Sequence, residues 1–140
     1  MSTPPSREQV RHFCRRHRLE LGVLFGSQAQ GRATPLSDVD LGVWVGGREL
    51  TWQRRLALVN AALQHFRRND LDLTFLNHVN PLVQWEVAST GQVLYEAWPG
   101  RFLAFQLRAF KRHNDARKIY RWERAYVLRY VKGGRLAAPA

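Results

Sequence analysis

The 140-residue chain has one cysteine, one methionine and six prolines, and its 11 acidic residues are half as many as its 22 basic ones. A lone cysteine, Cys14, cannot form an internal disulfide, so a disulfide framework and a thiolate metal site are both excluded. It falls in an amphipathic stretch and reads as a core thiol in a reducing compartment. The longest uninterrupted apolar stretch, Leu21 to Gly26, is far below the roughly 18 residues of a membrane span. The polar start, Met1-Ser2-Thr3-Pro4-Pro5, lacks the apolar region of a signal peptide. A soluble, cytoplasmic protein is therefore expected. No repeat, linker or low-complexity segment is present. With 45% hydrophobic and 24% charged residues, the chain holds enough apolar material for one core and too little for two.

The formal net charge is +11, which favours an acidic partner, nucleic acid first among them. The excess is mostly terminal: five basic residues lie in Arg7 to Arg18, six in Arg32 to Arg68 and eleven in Arg101 to Arg135. All but Lys111, Lys118 and Lys132 are arginine, a bias that base composition of the source genome alone can produce. The charge is thus weaker evidence for nucleic acid than its size suggests.

Ser6 and Gln9 form a capping-box pattern, and Val10, Phe13, Cys14 and His17 then recur at helical spacing, predicting a helix over Arg7 to Arg18. Leu21 to Phe25 reads as a buried strand ending at Gly26. Gly26 to Gly31 reverses the chain and suits a short helix, and Thr34-Pro35-Leu36-Ser37 is turn chemistry. Asp38 to Val45 alternates, with Val39, Leu41 and Val43 on one face and Asp38 and Asp40 on the other. Thr51 caps a helix to Phe66 whose apolar stripe is Trp52, Leu56, Val59, Leu63 and Phe66. Leu71 to Leu76 is a third strand after the break at Asn69-Asp70. Asn80 and Pro81 start another helix that Gly91 stops, Gln92 to Tyr95 is a brief edge strand, and Arg101 to Val131 reads as helix with a possible bend at Asn114-Asp115. This order describes a small α/β domain, a mixed β-sheet flanked by helices, with a long C-terminal helical extension.

Asp38 and Asp40 stand two apart on one strand face, and Asp72 lies on a strand that can run beside it. Two such carboxylates about 5 Å apart at an effective dielectric near 20 repel by roughly 3 kcal/mol, and a hard divalent cation is the natural compensation. Oxygen-only ligation favours magnesium or manganese over zinc. An isolated Asp-x-Asp is more often a solvated turn, and an isolated Gly-Ser a mere bend. Here Gly26-Ser27 follows a buried strand directly and opens a short helix, where backbone amides and a hydroxyl can cradle a phosphate. The two features together are far more specific than either. Asp70 is an alternative to Asp72, but it follows Asn69 at the strand's mouth and reads as a turn residue.

Gly26-Ser27-x-Ala29-x-Gly31, with Ser37-Asp38-x-Asp40 following, resembles the signature of the DNA polymerase beta nucleotidyltransferase superfamily. The short length, Asp72, and the Asn80-Pro81 to Gly91-x-Val93-Leu94-Tyr95 segment resemble more narrowly the minimal nucleotidyltransferases, antitoxin halves of HEPN/MNT toxin–antitoxin pairs. The resemblance runs from Leu21 to Glu96. It implies a minimal nucleotidyltransferase domain over residues 1–100 and a helical extension over 101–140 packed on that same domain, with a frayed tail. By the same resemblance, Gly26 and Ser27 hold the phosphates of ATP, Asp38 and Asp40 ligate two Mg2+ ions, and Asp72 is third ligand and base. The implied reaction transfers AMP to a hydroxyl, a tyrosine, on a HEPN ribonuclease toxin, which it neutralises. The pattern often has arginine where this chain has Gln30, and Arg32 follows two residues later.

Three other functions compete: an antitoxin that acts by occlusion alone, nucleotidylation of a small molecule, and RNA or operator binding. No second substrate domain is apparent, which favours a macromolecular acceptor. The five histidines show no metal-ligand spacing and read as surface residues; Trp44, Trp52 and Trp85 read as core. Glu86, on the helix after Asn80-Pro81, can face the nucleotide site, but an exposed helical glutamate is the commoner case. Phe102, Phe105, Phe110, Tyr120, Trp122, Tyr126 and Tyr130, interleaved with basic residues, exceed what a helix face can hide on a small sheet. Such a composition suits a protein interface or an RNA-stacking surface.

Overall fold

The computed structural model describes residues 3–26, 38–47 and 49–132. Its elements are α1 (Arg7–Arg16), β1 (Leu19–Phe25), β2 (Val39–Val45), α2 (Trp52–Phe66), β3 (Leu71–Phe75), α3 (Pro81–Thr90), β4 (Gln92–Glu96) and α4 (Arg101–Lys132). The four strands form one sheet in the order β3-β2-β1-β4. β1 runs antiparallel to both β2 and β4, whereas β2 and β3 are parallel. The parallel pair needs a crossover, and α2 supplies it.

Alternation along the strands assigns the two faces. Leu24 of β1, Val39, Leu41, Val43 and Val45 of β2, and Leu71 and Leu73 of β3 pack with Val10, Phe13 and Cys14 of α1 and Leu58, Ala62 and Phe66 of α2. On the opposite face Leu21, Val23 and Phe25 pack with Leu76, with Val87 and Ala88 of α3, and with Phe105 and Ala109 of α4. β1 is therefore apolar on both faces, which is why it reads as a continuous run rather than an alternation. Gly22 is required by closeness: a Cβ there would lie 2.7 Å from Val10 Cγ1 and 2.9 Å from Cys14 Sγ. Cys14 is buried against this contact, and desolvation pushes its thiol up to about 12, so it is an inert core residue.

The helix starts follow their local chemistry. Ser6 and Gln9 exchange both capping-box bonds, the Thr51 hydroxyl accepts from Arg54 N, and Asn80 accepts from Val83 N with Pro81 opening α3. Several boundaries and faces differ from expectation. α1 stops at Arg16, because His17 is its C-cap and Arg18 turns left-handed at φ 56°. β1 starts earlier, at Leu19, and takes in Glu20, which is held by Arg101 at 2.6 Å. α2 buries Leu58, Ala62 and Phe66, while Trp52 is 69% and Leu56 53% exposed: the sheet takes the neighbouring side of the helix. Trp85 is also exposed and stacks on His113. Trp44 is half-buried between the guanidiniums of Arg101 and Arg108, 5.1 and 5.3 Å from its ring. His17 and His65 are half-buried rather than fully at the surface, packing around Phe13 at 4.7 and 5.5 Å.

α4 is one continuous helix of 32 residues, without a break at Asn114-Asp115. Its first turns pack on α3 and the sheet through Phe105 and Ala109, and from Asn114 onward none of its described side chains is buried. Among the described residues no helix is long and apolar enough to cross a membrane.

Candidate functional site

β1 delivers the chain to Gly26, where φ is +74°, a left-handed conformation that glycine adopts without steric penalty. A second constraint acts at the same residue. Phe25 pairs with Asp40, so Gly26 passes directly over that carboxylate, and a Cβ on it would stand 2.5 Å from Asp40 Oδ2. Gly26 is therefore fixed both by its backbone and by the carboxylate against which it lies.

On the next rung, Asp40 of β2 lies opposite Asp72 of β3 in the parallel register. The register is pinned at its start by a 2.7 Å bond from Val39 N to Asp70 O. Residues 40 and 72 occupy the even positions of their strands, on the face opposite the one that Val39, Leu41, Leu71 and Leu73 turn to α1 and α2, and so on the side of α3 and α4. Asp38 stands just before β2 and is exposed, Asp40 is half-buried, and Asp72 is exposed. The Asp40 carboxyl is raised above its ordinary value, first by burial and then by the charges of Asp72, Asp38 and Glu86. Asp40 thus lies in the field of the other two aspartates, and none of the three makes a salt bridge among the described residues.

Asp70 has a different environment. Arg68 grips it through two bonds of 2.6 and 2.8 Å, and that hydrogen bonding is the leading cause that holds its carboxyl below the ordinary value. It closes the turn before β3, two residues from the site. Glu86 follows the reading that sequence analysis ranked second: on α3 it is half-buried and close enough to the site for its charge to act on Asp40. Its sequence signal was its place on the helix that Asn80-Pro81 opens. Ser27, Gln30, Arg32 and Ser37, with the expected short helix and turn around them, lie outside the described residues.

The donor set is all carboxylate, which fits a hard divalent cation of the magnesium class, and the raised Asp40 shows the negative field such an ion would offset. As they stand, the carboxylates are not gathered round one point: among the described residues no three acidic, histidine or cysteine side chains form a ready-made metal site.

A mixed four-stranded sheet with helices on both faces, a glycine at the end of its central strand and an acidic pair beside it define a nucleotidyltransferase-like fold. Residues 8–98 match the family described as polymerase beta, nucleotidyltransferase; the chain belongs to this family. No curated protein matches it significantly. Among solved structures it is similar to a chain of a toxin–antitoxin complex with AMP-PNP, at 21% identity and a TM-score of 0.69, covering 91% of this chain and 99% of that one. It is also similar, at 19% identity and a TM-score of 0.62, to a chain in the complex of a tri-AMPylated Shewanella oneidensis HEPN toxin with its MNT antitoxin, covering 90% and 95%. A chain of the MntA-HepT complex matches at 19% identity and a TM-score of 0.61, covering 90% and 96%. At these identities the likeness shows the fold.

Proposed function

We propose that this protein is an antitoxin nucleotidyltransferase that transfers AMP from ATP to a tyrosine hydroxyl of a HEPN ribonuclease partner and so neutralises it. The observation that carries the reading is the pairing of Asp40 with Asp72 directly beneath Gly26. Phosphate and carboxylates need to meet at one strand end for phosphoryl-transfer chemistry, and the closeness of Gly26 to Asp40 supports that reading. The solved relatives with AMP-PNP and with an AMPylated HEPN toxin support the choice of nucleotide and acceptor.

In the proposed reaction, the acceptor oxygen forms a bond to the α-phosphorus, the bond from that phosphorus to the bridging oxygen breaks, and pyrophosphate leaves. Gly26 and Ser27 hold the phosphates that depart. Asp38, Asp40 and Asp72 would hold the Mg2+ ions, which when bound would supply charge stabilisation for the transfer. Asp72 takes the acceptor's proton. Glu86 adds negative charge behind Asp40 and favours retention of cations over an empty site. The exposed apolar and aromatic side chains of distal α4, among them Ile119, Tyr120 and Trp122, are the surface on which the partner docks.

The same α4 surface supports the second reading, an antitoxin that acts by occlusion without catalysis. Co-expression with the adjacent gene product, followed by intact mass spectrometry of that product beside an Asp38→Ala/Asp40→Ala control, separates the two. Added AMP that disappears in the control is the expected result. Co-purification without added mass overturns transfer and leaves occlusion.

A further inference from the structure

The face of the sheet away from the aspartates carries a second charged concavity. It lies where α1 ends and α2 begins, encloses about 290 Å3, and is lined by Arg16, His17, Arg18, Arg54, Ala57 and Leu58. Three arginines line it, two of them exposed, and no acidic residue does among the described residues. Arg54 is the informative member, because its Nη1 is buried and has no hydrogen-bond partner among the described residues. A buried guanidinium nitrogen left unsatisfied costs free energy, and native proteins rarely leave one without a ligand.

The helix ends sharpen the point. Arg16 sits in the last turn of α1, where the helix dipole favours a cation. Arg54 sits in the first turn of α2, followed by Arg55, and that turn contains no acidic residue. The dipole there opposes a cation, and Arg16 and Arg18 add repulsion. An anion between the three arginines offsets all of these terms at once, and guanidinium forks match phosphate oxygens in pairs.

We propose that the α1–α2 junction binds a phosphate group, at a site separate from the carboxylate pair on the other face of the sheet. The phosphate has two possible sources, a free phosphate or pyrophosphate anion and the backbone of a nucleic-acid strand. The second is considered because α1 carries further arginines, Arg7, Arg11 and Arg15, along a separate concavity of about 270 Å3 beside β4.

The test is thermal unfolding of the full chain at constant ionic strength in EDTA, with phosphate or pyrophosphate replacing chloride. Wild type is expected to gain about 4 °C at ten times the dissociation constant. Arg54→Gln should lose that gain while its anion-free Tm stays level or rises, since an opposed, unsatisfied cation is removed. Arg16→Gln, at an exposed position, should reduce the gain, which keeps the test valid if Arg54→Gln fails to fold. Asp40→Asn should keep the full gain, separating this site from the catalytic one. No gain in wild type, or an equal gain in Arg54→Gln and Arg16→Gln, overturns the proposal. Fluorescence anisotropy of a labelled single-stranded RNA then assigns the source. Weakening by the same two variants, with a shallower salt slope, supports a strand phosphate at this site; the thermal result with RNA binding unchanged supports a free anion there.

Discussion

Gly26 is the residue on which site geometry and backbone conformation make the same demand. Its φ of +74° and the 2.5 Å that would separate a Cβ from Asp40 Oδ2 mean that Gly26→Ala must both strain the turn and displace the carboxylate. The expected result is a loss of about 1–3 kcal/mol in urea unfolding together with loss of AMP transfer, read by intact mass on the partner. Asp40 behaves in the opposite sense. It is half-buried among like charges, so Asp40→Asn removes repulsion that the folded metal-free protein must bear, and stability should rise by about 0.2–1 kcal/mol while transfer is abolished. Magnesium should reverse that order by raising the Tm of wild type and leaving the variant unmoved; a variant that responds equally would show that Asp40 is not a ligand. Asp38, read as the first residue of β2, stands just before it, but the strand positions of Asp40 and Asp72 were legible because alternation puts them on one face of their strands. The register that sets Asp40 against Asp72 was not, since it depends on where the α2 crossover lets β3 begin. Glu86 was legible only as the second of two readings, because the rotation of α3 about its axis is decided by how Val87 and Ala88 meet the sheet.

Helix beginnings were readable because capping is local: Ser6 with Gln9, Thr51 and Asn80 each satisfy amides within three residues. The buried side of a helix is a tertiary decision, and α2 shows it. Trp52, Leu56, Val59 and Leu63 repeat at the same spacing as Leu58, Ala62 and Phe66, and the sequence pattern alone cannot rank two adjacent stripes. The end of α1 carries a testable consequence of packing. His17 caps the helix against the Phe13 ring at 4.7 Å, and its pKa is lowered first by burial and then by Arg16 and His65. A histidine depressed in the folded state contributes stability above its unfolded value, near 6.5, and that contribution is lost as pH falls through the lowered folded value. The urea midpoint of wild type should therefore drop between pH 7 and about pH 5.5, and His17→Asn should drop less over the same interval. An identical drop would place the acid sensitivity elsewhere.

At the scale of the molecule, α4 divides into two regimes without a change in backbone. Its proximal turns bury Phe105 and Ala109 against α3 and β1, while its distal turns carry Trp122 at 78% and Leu128 at 47% exposure. A monomer gains nothing from holding large apolar groups in water along a helix that has left the core, whereas an interface buries them as anchors. The absence of glycine and proline from Arg101 to Lys132 made the length of α4 legible; how much of it the small sheet can cover was set by sheet width, which the sequence does not display. If distal α4 docks the HEPN partner, Trp122→Glu combined with Leu128→Glu should leave the unfolding free energy within about 0.5 kcal/mol, as exposed substitutions do. The same pair should abolish co-purification of the partner, because desolvating two carboxylates at an interface centre costs more than two lost apolar contacts. Under the transfer reading AMPylation of the partner should fall with it, since the acceptor tyrosine is no longer delivered to Asp72. Partner binding at wild-type strength would mean that the complex is held through the catalytic face instead, with α4 free for another role.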